Sequence, residues 1–167
     1  NEELDVLFDI QKLPQDNINF NDIIKNKIKQ LENKKVRHNF DKKFIQIFDN
    51  LIKKNDAKYF LASLKIENKN ISSCFGIQLH DTFYYYIPFI ESNEYNNYKP
   101  GKILTLKIIN WCIENKLKIF DFGLGEEKYK ENFSNHFLPL HRLISHNSYL
   151  GRFLLVGIKI IFFNKKL

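Results

Sequence analysis

The chain has 167 residues, of which 44% are hydrophobic, 4 are proline and 6 are glycine. This length and composition predict one folded domain with a buried core and argue against a disordered chain. The formal net charge of +7 fits anionic ligands, nucleic acid or a membrane surface, although scattered lysines usually form a solvated surface. No uncharged apolar run reaches the roughly 18 residues that a bilayer-spanning helix needs, so none is predicted.

Apolar residues in the first third of the chain recur at helical spacing. A helix is predicted over residues 2–13, where Pro14 ends it, and a short one over residues 23–31. A third is predicted over residues 40–52, with Asn39 as its cap. The apolar faces consist of Leu4, Leu7, Phe8 and Ile10 in the first helix and of Phe44, Ile47, Phe48, Leu51 and Ile52 in the third.

Three extended runs follow, over residues 58–67, 71–79 and 82–90, with tight turns between them. The last run contains Pro88, which has no amide hydrogen to donate to a neighbouring strand. The sequence therefore predicts a sheet edge or a break in pairing near the end of this strand. Backbone groups at such a break are free to contact an extended ligand.

A helix over residues 101–115 and a short strand over residues 117–122 come next. A strand, a helix and a strand in this order predict a right-handed crossover and locally parallel strands. One or two helical turns are predicted over residues 126–134, and one or two strands over residues 136–146. The tail, residues 149–163, has apolar residues at helical spacing.

These elements predict a single domain in three parts. Residues 1–57 form a helical N-terminal part, residues 58–146 a sheet core, and residues 147–167 a basic, apolar C-terminal helix. This last helix packs on the domain or on a dimer partner, or lies on an anionic membrane surface. Because the chain begins at Asn1 and contains no methionine, it is predicted to be a fragment of a longer product.

The sequence predicts no metal site. Cys74 and Cys112 lack metal-ligand spacing and are expected to be free, buried thiols in a reducing compartment. His136, His141 and His146 have no carboxylate partner at ligand spacing.

The start of the helix at Gly101 predicts an anion site. The first turn of a helix exposes unpaired amides at the positive end of its dipole. Here Lys99 and Lys102 add charge, Pro100 favours the first helical position, and Gly101 allows close approach.

The segments FYYYIPF, YKPGKILTLKIINWCIE and FDFGLGEEKYKENF, in this order, resemble the GNAT acyltransferase superfamily. Within it they are similar to the CelD/BcsL-type branch, which is related to the Fem aminoacyltransferases. The resemblance covers residues 2–144. It implies an α+β (α/β) fold with a mixed, mostly antiparallel central sheet flanked by helices. The first strand of that fold is expected to be missing, since nothing before Glu2 corresponds to it.

The resemblance also implies acetyl-CoA, or a related acyl-CoA, as acyl donor and an amine or hydroxyl as acceptor. It places the coenzyme on Ile87 and Phe89, through their backbone amides, and on the phosphate turn. The residues assigned to that turn are Lys99, Pro100, Gly101, Lys102 and Ile103. The turn has one glycine where the family pattern has more.

Acyl transfer needs a base for the nucleophile, donors for the thioester oxyanion and an acid for the leaving thiolate. The resemblance assigns Asp121 and Glu127 as candidate bases, Tyr129 as the acid, and Lys130 to the oxyanion or to an anionic acceptor. Three of these residues can also serve a purely structural role. Asp121 can cap or pair, Glu127 can favour a helix start, and Tyr129 can pack four residues from Phe133.

The leading hypothesis is a cytoplasmic acetyltransferase, peripheral to the inner membrane if the tail binds it, that acts on cell-envelope or polysaccharide precursors. A Fem-like transferase that uses aminoacyl-tRNA is the alternative within the fold. A non-catalytic, degenerate GNAT module that supports a preceding domain half is the alternative from another class.

Overall fold

A computed structural model of the chain describes residues 5–16, 18–54, 56–92, 94–125 and 127–140. The chain divides into two compact units, Asn1–Glu126 and Glu127–Leu167. The first unit contains a sheet and three long helices, and the described part of the second contains one short helix.

The first unit alternates helices with the strands of one sheet. Its strands are β1 (Val6–Leu13), β2 (Lys58–Ile66), β3 (Lys69–Leu79), β4 (Thr82–Ile90) and β5 (Ile119–Asp121). Its helices are α1 (Phe20–Asn33), α2 (Lys42–Lys54) and α3 (Pro100–Glu114), and a single 3₁₀ turn, Asn96–Tyr98, precedes α3. The second unit contains α4 (Lys128–Glu131).

The five strands lie in the order β1-β2-β3-β4-β5. Pairing is antiparallel from β1 to β4 and parallel between β4 and β5. The prediction of a mixed, mostly antiparallel sheet flanked by helices is therefore confirmed. The parallel pair forms because α3 carries the chain back along the sheet before β5 begins.

The prediction of a helix over residues 2–13 is wrong. β1 pairs with β2 along its whole length, from Val6 opposite Ile66 to Leu13 opposite Tyr59. Phe8 and Ile10, two residues apart, pack on the same core cluster, as the period of a strand requires. A sheet strand thus precedes the first helix, so the expectations of a missing first strand and of a wholly helical N-terminal part are wrong as well.

The other helices and strands predicted up to residue 122 are confirmed, β4 with its predicted bounds and the rest with shifted ends. α1 is longer than predicted, and the Asn19 side chain accepts a hydrogen bond from the Asn21 amide at its start. At α2 the Asp41 carboxylate, rather than Asn39, accepts from the Phe44 amide at 2.7 Å. Ile47 is 47% exposed and lies outside the buried face of α2.

Two hydrophobic clusters cover the two faces of the sheet. Helices α1 and α2 pack on one face, and the fully buried Phe75 ring lies 4.9 Å from the ring of Phe20. Helix α3 packs on the other face, where the Phe83 ring contacts Trp111 at 5.9 Å. The sheet is therefore the middle layer of three, and the helices hold its strands in register.

The predicted strand over residues 117–122 shortens to three residues. The Asp81 carbonyl accepts the amides of Lys118 and Ile119 where β5 begins. The Lys118 ammonium lies 2.9 Å from the Asp81 carboxylate, and this hydrogen bond lowers the pKa of Asp81. The turn before β4 thus anchors the start of β5, and the predicted parallel pairing is confirmed.

The second unit is described over residues 127–140. One helical turn is present, as predicted, at α4. Residues 136–140 form no strand, and the rest of the segment predicted as strands, like the tail at 147–167, lies outside the described residues. Within the described part of the chain, no helix is both long and apolar enough to cross a membrane.

Both cysteines are free and buried, Cys74 on the sheet and Cys112 on α3. Burial raises the pKa of the Cys112 thiol to about 12, and it raises the pKa of the Cys74 thiol even further from its usual range. Since the thiolate is the reactive form, we expect neither cysteine to react with a disulfide reagent at pH 8 until the protein unfolds. Reaction in buffer and in guanidinium, followed by absorbance, measures this.

The raised pKa values of the two thiols also make the stability of the protein depend on pH. Above the unfolded thiol pKa of about 8.5, the unfolded chain releases protons that the folded chain retains, so the free energy of unfolding falls as pH rises. The expected slope is at most about 1.4 kcal/mol per pH unit for each thiol.

A thiol that reacts at full rate in the folded protein would contradict the burial of its sulfur.

Candidate functional site

The edge of β4 that faces β5 is open over most of its length. β5 pairs with β4 only from Thr82 to Tyr84 and ends at Asp121. Among the described residues, no strand pairs with this edge between Tyr86 and Ile90. The two parallel strands therefore separate, and backbone groups of β4 are left for another partner, as the position of Pro88 predicted.

A β-bulge lies at the point where the strands separate. Phe75 pairs with Ile87 but Gly76 pairs with Tyr85, so Tyr86 is an extra residue in β4. Side chains change face there: Tyr85 packs on the α3 side, whereas Ile87, two residues later, packs on the side of α1 and α2. A single inserted residue causes this switch because strand side chains alternate.

The bulged residue itself is held against α2. The Tyr86 ring stacks on Phe48 with ring centroids 5.5 Å apart, and 45% of the residue stays exposed. Partial burial raises the pKa of the Tyr86 phenol. A protonated phenol therefore lies beside the open edge of β4.

The register shows which backbone groups of β4 face the open side. The Glu91 amide donates to the Ile71 carbonyl, so Phe89 and Ile87 occupy the hydrogen-bonded positions opposite β3. Pro88 and Ile90 alternate with them, so the Pro88 carbonyl and the backbone amide and carbonyl of Ile90 point to the open side. Pro88 therefore removes no hydrogen bond to β3, and the register favours the Pro88 carbonyl and the Ile90 amide as ligand contacts over the amides of Ile87 and Phe89.

Lys27 of α1 reaches this open edge, and no sequence pattern pointed to it. Its ammonium donates to the Pro88 carbonyl at 2.5 Å. In the sequence Lys27 is one of several lysines in a polar helix. Only the packing of α1 on the sheet brings this side chain to β4, so periodicity alone gave no signal for it.

The start of α3 lies beside the end of β4. The Ser72 hydroxyl donates to the Pro100 carbonyl at 3.3 Å, and a Cβ on Gly101 would lie 3.2 Å from Cδ1 of Ile90. Lys99 has a left-handed backbone, with φ of 52°. The structure thus brings the predicted phosphate turn and the predicted pantetheine strand together.

The first turn of α3 also uses some of its own donors. The amides of Lys102 and Ile103 donate to the Lys99 carbonyl at 2.9 and 3.3 Å, and Pro100 has no amide hydrogen. Lys102 is exposed, whereas Pro100 and Ile103 line an apolar cavity of about 230 Å³ on the α3 side of the sheet. The turn therefore offers lysine charge and an apolar wall to a ligand.

Asp121 ends β5, and its carboxylate accepts a hydrogen bond from the Gly123 amide at 2.6 Å. This contact fixes the turn at Gly123, whose φ of 68° suits glycine. The carboxylate has a structural task in this arrangement. Its assignment as a base stays a prediction.

The other three predicted catalytic residues, Glu127, Tyr129 and Lys130, belong to the second unit. The Lys130 ammonium lies 2.7 Å from the Glu127 carboxylate. Lys130 is only 7% exposed, whereas Tyr129 is 41% exposed. The unit therefore brings Lys130 and Glu127 together as an ion pair with its cation buried. Their catalytic roles, like that of Tyr129, stay predictions.

The family of the chain follows from a comparison over most of its length. The family model described as acetyltransferase (GNAT) domain matches residues 5–131. The chain belongs to this family. It is an acyltransferase domain, and acetyl-CoA is the substrate of GNAT acetyltransferases. In the described part of this GNAT domain, no group of three or more His, Cys, Asp or Glu side chains is arranged to hold a metal ion.

Solved structures of other acetyltransferases are similar to this GNAT domain at low identity. An aminoglycoside acetyltransferase, meta-AAC0020, from an uncultured soil metagenomic sample, in complex with sisomicin, is 18% identical over 85% of this chain and 95% of its own, with a TM-score of 0.48. Its complex with trehalose gives a TM-score of 0.46 at the same identity and coverage.

A GNAT-family acetyltransferase from Staphylococcus aureus Mu50 is 16% identical over 75% of this chain and 80% of its own, with a TM-score of 0.48. No curated protein matches the GNAT domain described here.

Proposed function

We propose that this GNAT domain transfers an acetyl group from acetyl-CoA to an amine or hydroxyl, with the pantetheine arm lying along the open edge of β4. The observation that carries the proposal is that edge, which no described strand pairs from Tyr86 to Ile90 and which lies beside the start of α3. The amides of a pantetheine arm can pair with an exposed strand as a peptide does. The β4 groups that the register favours are the Ile90 amide and the Pro88 carbonyl, which already accepts a hydrogen bond from the Lys27 ammonium.

The start of α3 is proposed to hold the phosphates. Lys99 and Lys102 supply the charge, and the glycine at 101 lets the phosphates approach the backbone closely. Pro100 and Ile103 supply apolar contact beside it. In this arrangement acetyl-CoA extends from its phosphates at the start of α3 to its thioester near the bulge in β4.

The reaction forms a bond from the acceptor nitrogen or oxygen to the thioester carbonyl carbon and breaks the bond from that carbon to sulfur. Asp121 or Glu127 takes the proton of the nucleophile, and Tyr129 protonates the leaving thiolate. Lys130 stabilises the oxyanion. The Glu127 carboxylate that pairs with Lys130 supports the last role, because it keeps a charged donor in a buried position.

The similarity of residues 120–133 to the CelD/BcsL-type branch supports acceptors among cell-envelope or polysaccharide precursors. Contact of the tail with a membrane surface stays the alternative to its packing on the domain or on a dimer partner.

One observation favours the Fem-like alternative, in which an aminoacyl-tRNA is the donor. Residues 25–54, which include most of α1 and all of α2, contain ten Lys or Arg and three Asp or Glu. Such a basic stretch can attract the phosphates of a nucleic acid.

A thermal-shift titration with acetyl-CoA and CoA tests the proposed function. A ligand that binds only the folded state stabilises it by about 2.7 kcal/mol at a hundred times its dissociation constant. We therefore expect a saturating rise in melting temperature. Absence of a shift from a cooperatively melting sample would reject acetyl-CoA and favour the aminoacyl-tRNA or the non-catalytic alternative.

Two matched variants locate the phosphates. Lys102 and Lys107 are both exposed on α3, and Lys102 lies in its first turn. We expect Lys102→Glu to weaken acetyl-CoA binding about tenfold, or about 1.4 kcal/mol, and Lys107→Glu to leave it within twofold. An acidic residue near a helix N-terminus is favourable, so the first variant should fold normally. Equal affinities of the two variants for acetyl-CoA would show that the phosphates do not bind at the start of α3.

A further inference from the structure

A cavity of about 500 Å³ lies between α1 and the segment that connects α1 to α2. Its polar side includes Lys27, Arg37 and His38, and its apolar side is made of Leu31, Phe40 and Phe44. Sites for small molecules in proteins are concave, mostly apolar and carry a few polar groups, and their volumes run from roughly 300 to 1,000 Å³. This cavity matches that description.

The charge around the cavity is strongly positive. Two of its lining residues are the cations Lys27 and Arg37, and no Asp or Glu of the described part of the chain lines it. It lies within the basic stretch of residues 25–54, where the excess of Lys and Arg over Asp and Glu is as large as the net charge of the whole chain, +7. A concave surface of one sign raises the local concentration of ions of the opposite sign. The charge of the cavity wall therefore favours an anionic ligand.

One polar atom of the cavity wall lacks a partner. Nδ1 of His38 is buried and makes no hydrogen bond within the described residues. A buried polar atom without a partner destabilises the folded protein, so a ligand that bonds to it gains affinity. The His38 ring also stacks on Phe40, with centroids 5.8 Å apart, which places a flat apolar surface beside the polar atom.

Lys27 joins this cavity to the open edge of β4. Its side chain lines the cavity, and its ammonium donates to the Pro88 carbonyl. The cavity is thus next to the place where the thioester is proposed to lie. A molecule bound in it can extend a nucleophile toward that edge.

We propose that this cavity binds the acceptor through an anionic group, a carboxylate or a phosphate, carried on an aromatic or other apolar body. Arg37 and Lys27 contact the anion, His38 donates to it, and Phe40 and Phe44 cover the apolar body. The assignment of the ligand as the acceptor rests on the proposed function. The binding of the anion does not.

The test uses the whole chain without acetyl-CoA. Benzoate and phenyl phosphate serve as probes, benzamide as their neutral counterpart, and the imidazole NMR signals of His38 report binding. We expect both anions, or one of them, to shift these signals saturably and benzamide to leave them unchanged. The probe that binds with the higher affinity shows whether the acceptor carries a carboxylate or a phosphate.

Variants fix the location. Arg37→Gln should weaken binding of the anion about tenfold, the size of one charge-assisted hydrogen bond, and Lys34→Gln, in the same connection but outside the cavity wall, should not. The proposal is overturned if benzamide binds as well as the anions, if both variants behave like the parent, or if an RNA oligonucleotide binds and neither small anion does.

The two proposals fail separately. Anion binding together with no thermal shift from acetyl-CoA supports the cavity and rejects the proposed donor. A thermal shift from acetyl-CoA together with unchanged His38 signals supports the donor and rejects the cavity.

Discussion

Replacing Gly76 by alanine is expected to destabilise the protein by about 2–3 kcal/mol, because the new methyl group overpacks a core that cannot yield. A Cβ at this position would lie 2.2 Å from Cζ of Phe83. That ring is fully buried and is fixed by contacts with Phe60, Trp111 and Phe120. The melting temperature should fall by roughly 5–10 °C for a chain of this size.

Two further variants control this prediction. In Gly101→Ala the new Cβ would meet only the flexible end of Ile90, at 3.2 Å, so its melting temperature should stay near that of the parent. Phe83→Leu replaces the ring with a smaller side chain, so Gly76→Ala should cost less in that background, with a coupling of about 1 kcal/mol or more. Strictly additive effects would show that the ring does not oppose the methyl group.

Replacing Lys130 by methionine is expected to reduce turnover 100- to 1,000-fold, the typical effect of removing one oxyanion donor. Methionine keeps an apolar stem in the buried position and removes the charge that pairs with Glu127 at 2.7 Å. Lys130→Arg keeps the charge but changes its geometry, and we expect intermediate turnover. Release of CoA thiol in the presence of a panel of amines measures the rate.

Lys128→Met is the matched control, since Lys128 lies on the same helical turn but is exposed. It should keep the turnover of the parent. Melting temperatures of all three variants separate a loss of chemistry from a loss of folding, because a buried ion pair that loses one partner can also destabilise the fold. Turnover of Lys130→Met at the rate of the parent would refute the assignment of Lys130.

Sequence periodicity predicted most of the architecture. The prediction for β4 matches its observed bounds, because a run of aromatic and β-branched residues between two turns fits only a strand. α3 is within one residue of its prediction, since Pro100 and the apolar spacing mark its extent. β1 was mistaken for a helix, because Phe8 and Ile10 satisfy a strand while Leu4, Leu7 and Phe8 also fit one helical face. Pairing with β2 decides between the two periods.

The candidate site could be predicted only in part from the sequence. The start of α3 and the break at Pro88 carry local signals, namely a Pro-Gly helix start and a proline in a strand. The bulge at Tyr86 and the reach of Lys27 to Pro88 carry none. Both depend on how distant segments pack, and a residue's neighbours in the chain do not report its neighbours in space.

The sequence by itself determined the type and order of the helices and strands from α1 to α4, the buried state of both cysteines and the family resemblance. Local propensity and apolar spacing are enough for these features. The tertiary structure alone decided that a strand precedes α1, which edge of β4 is open, and that Lys27, Arg37 and His38 share a cavity. The physical reason is that register, strand separation and cavities arise from contacts between segments far apart in the chain, whose free energy no single segment encodes.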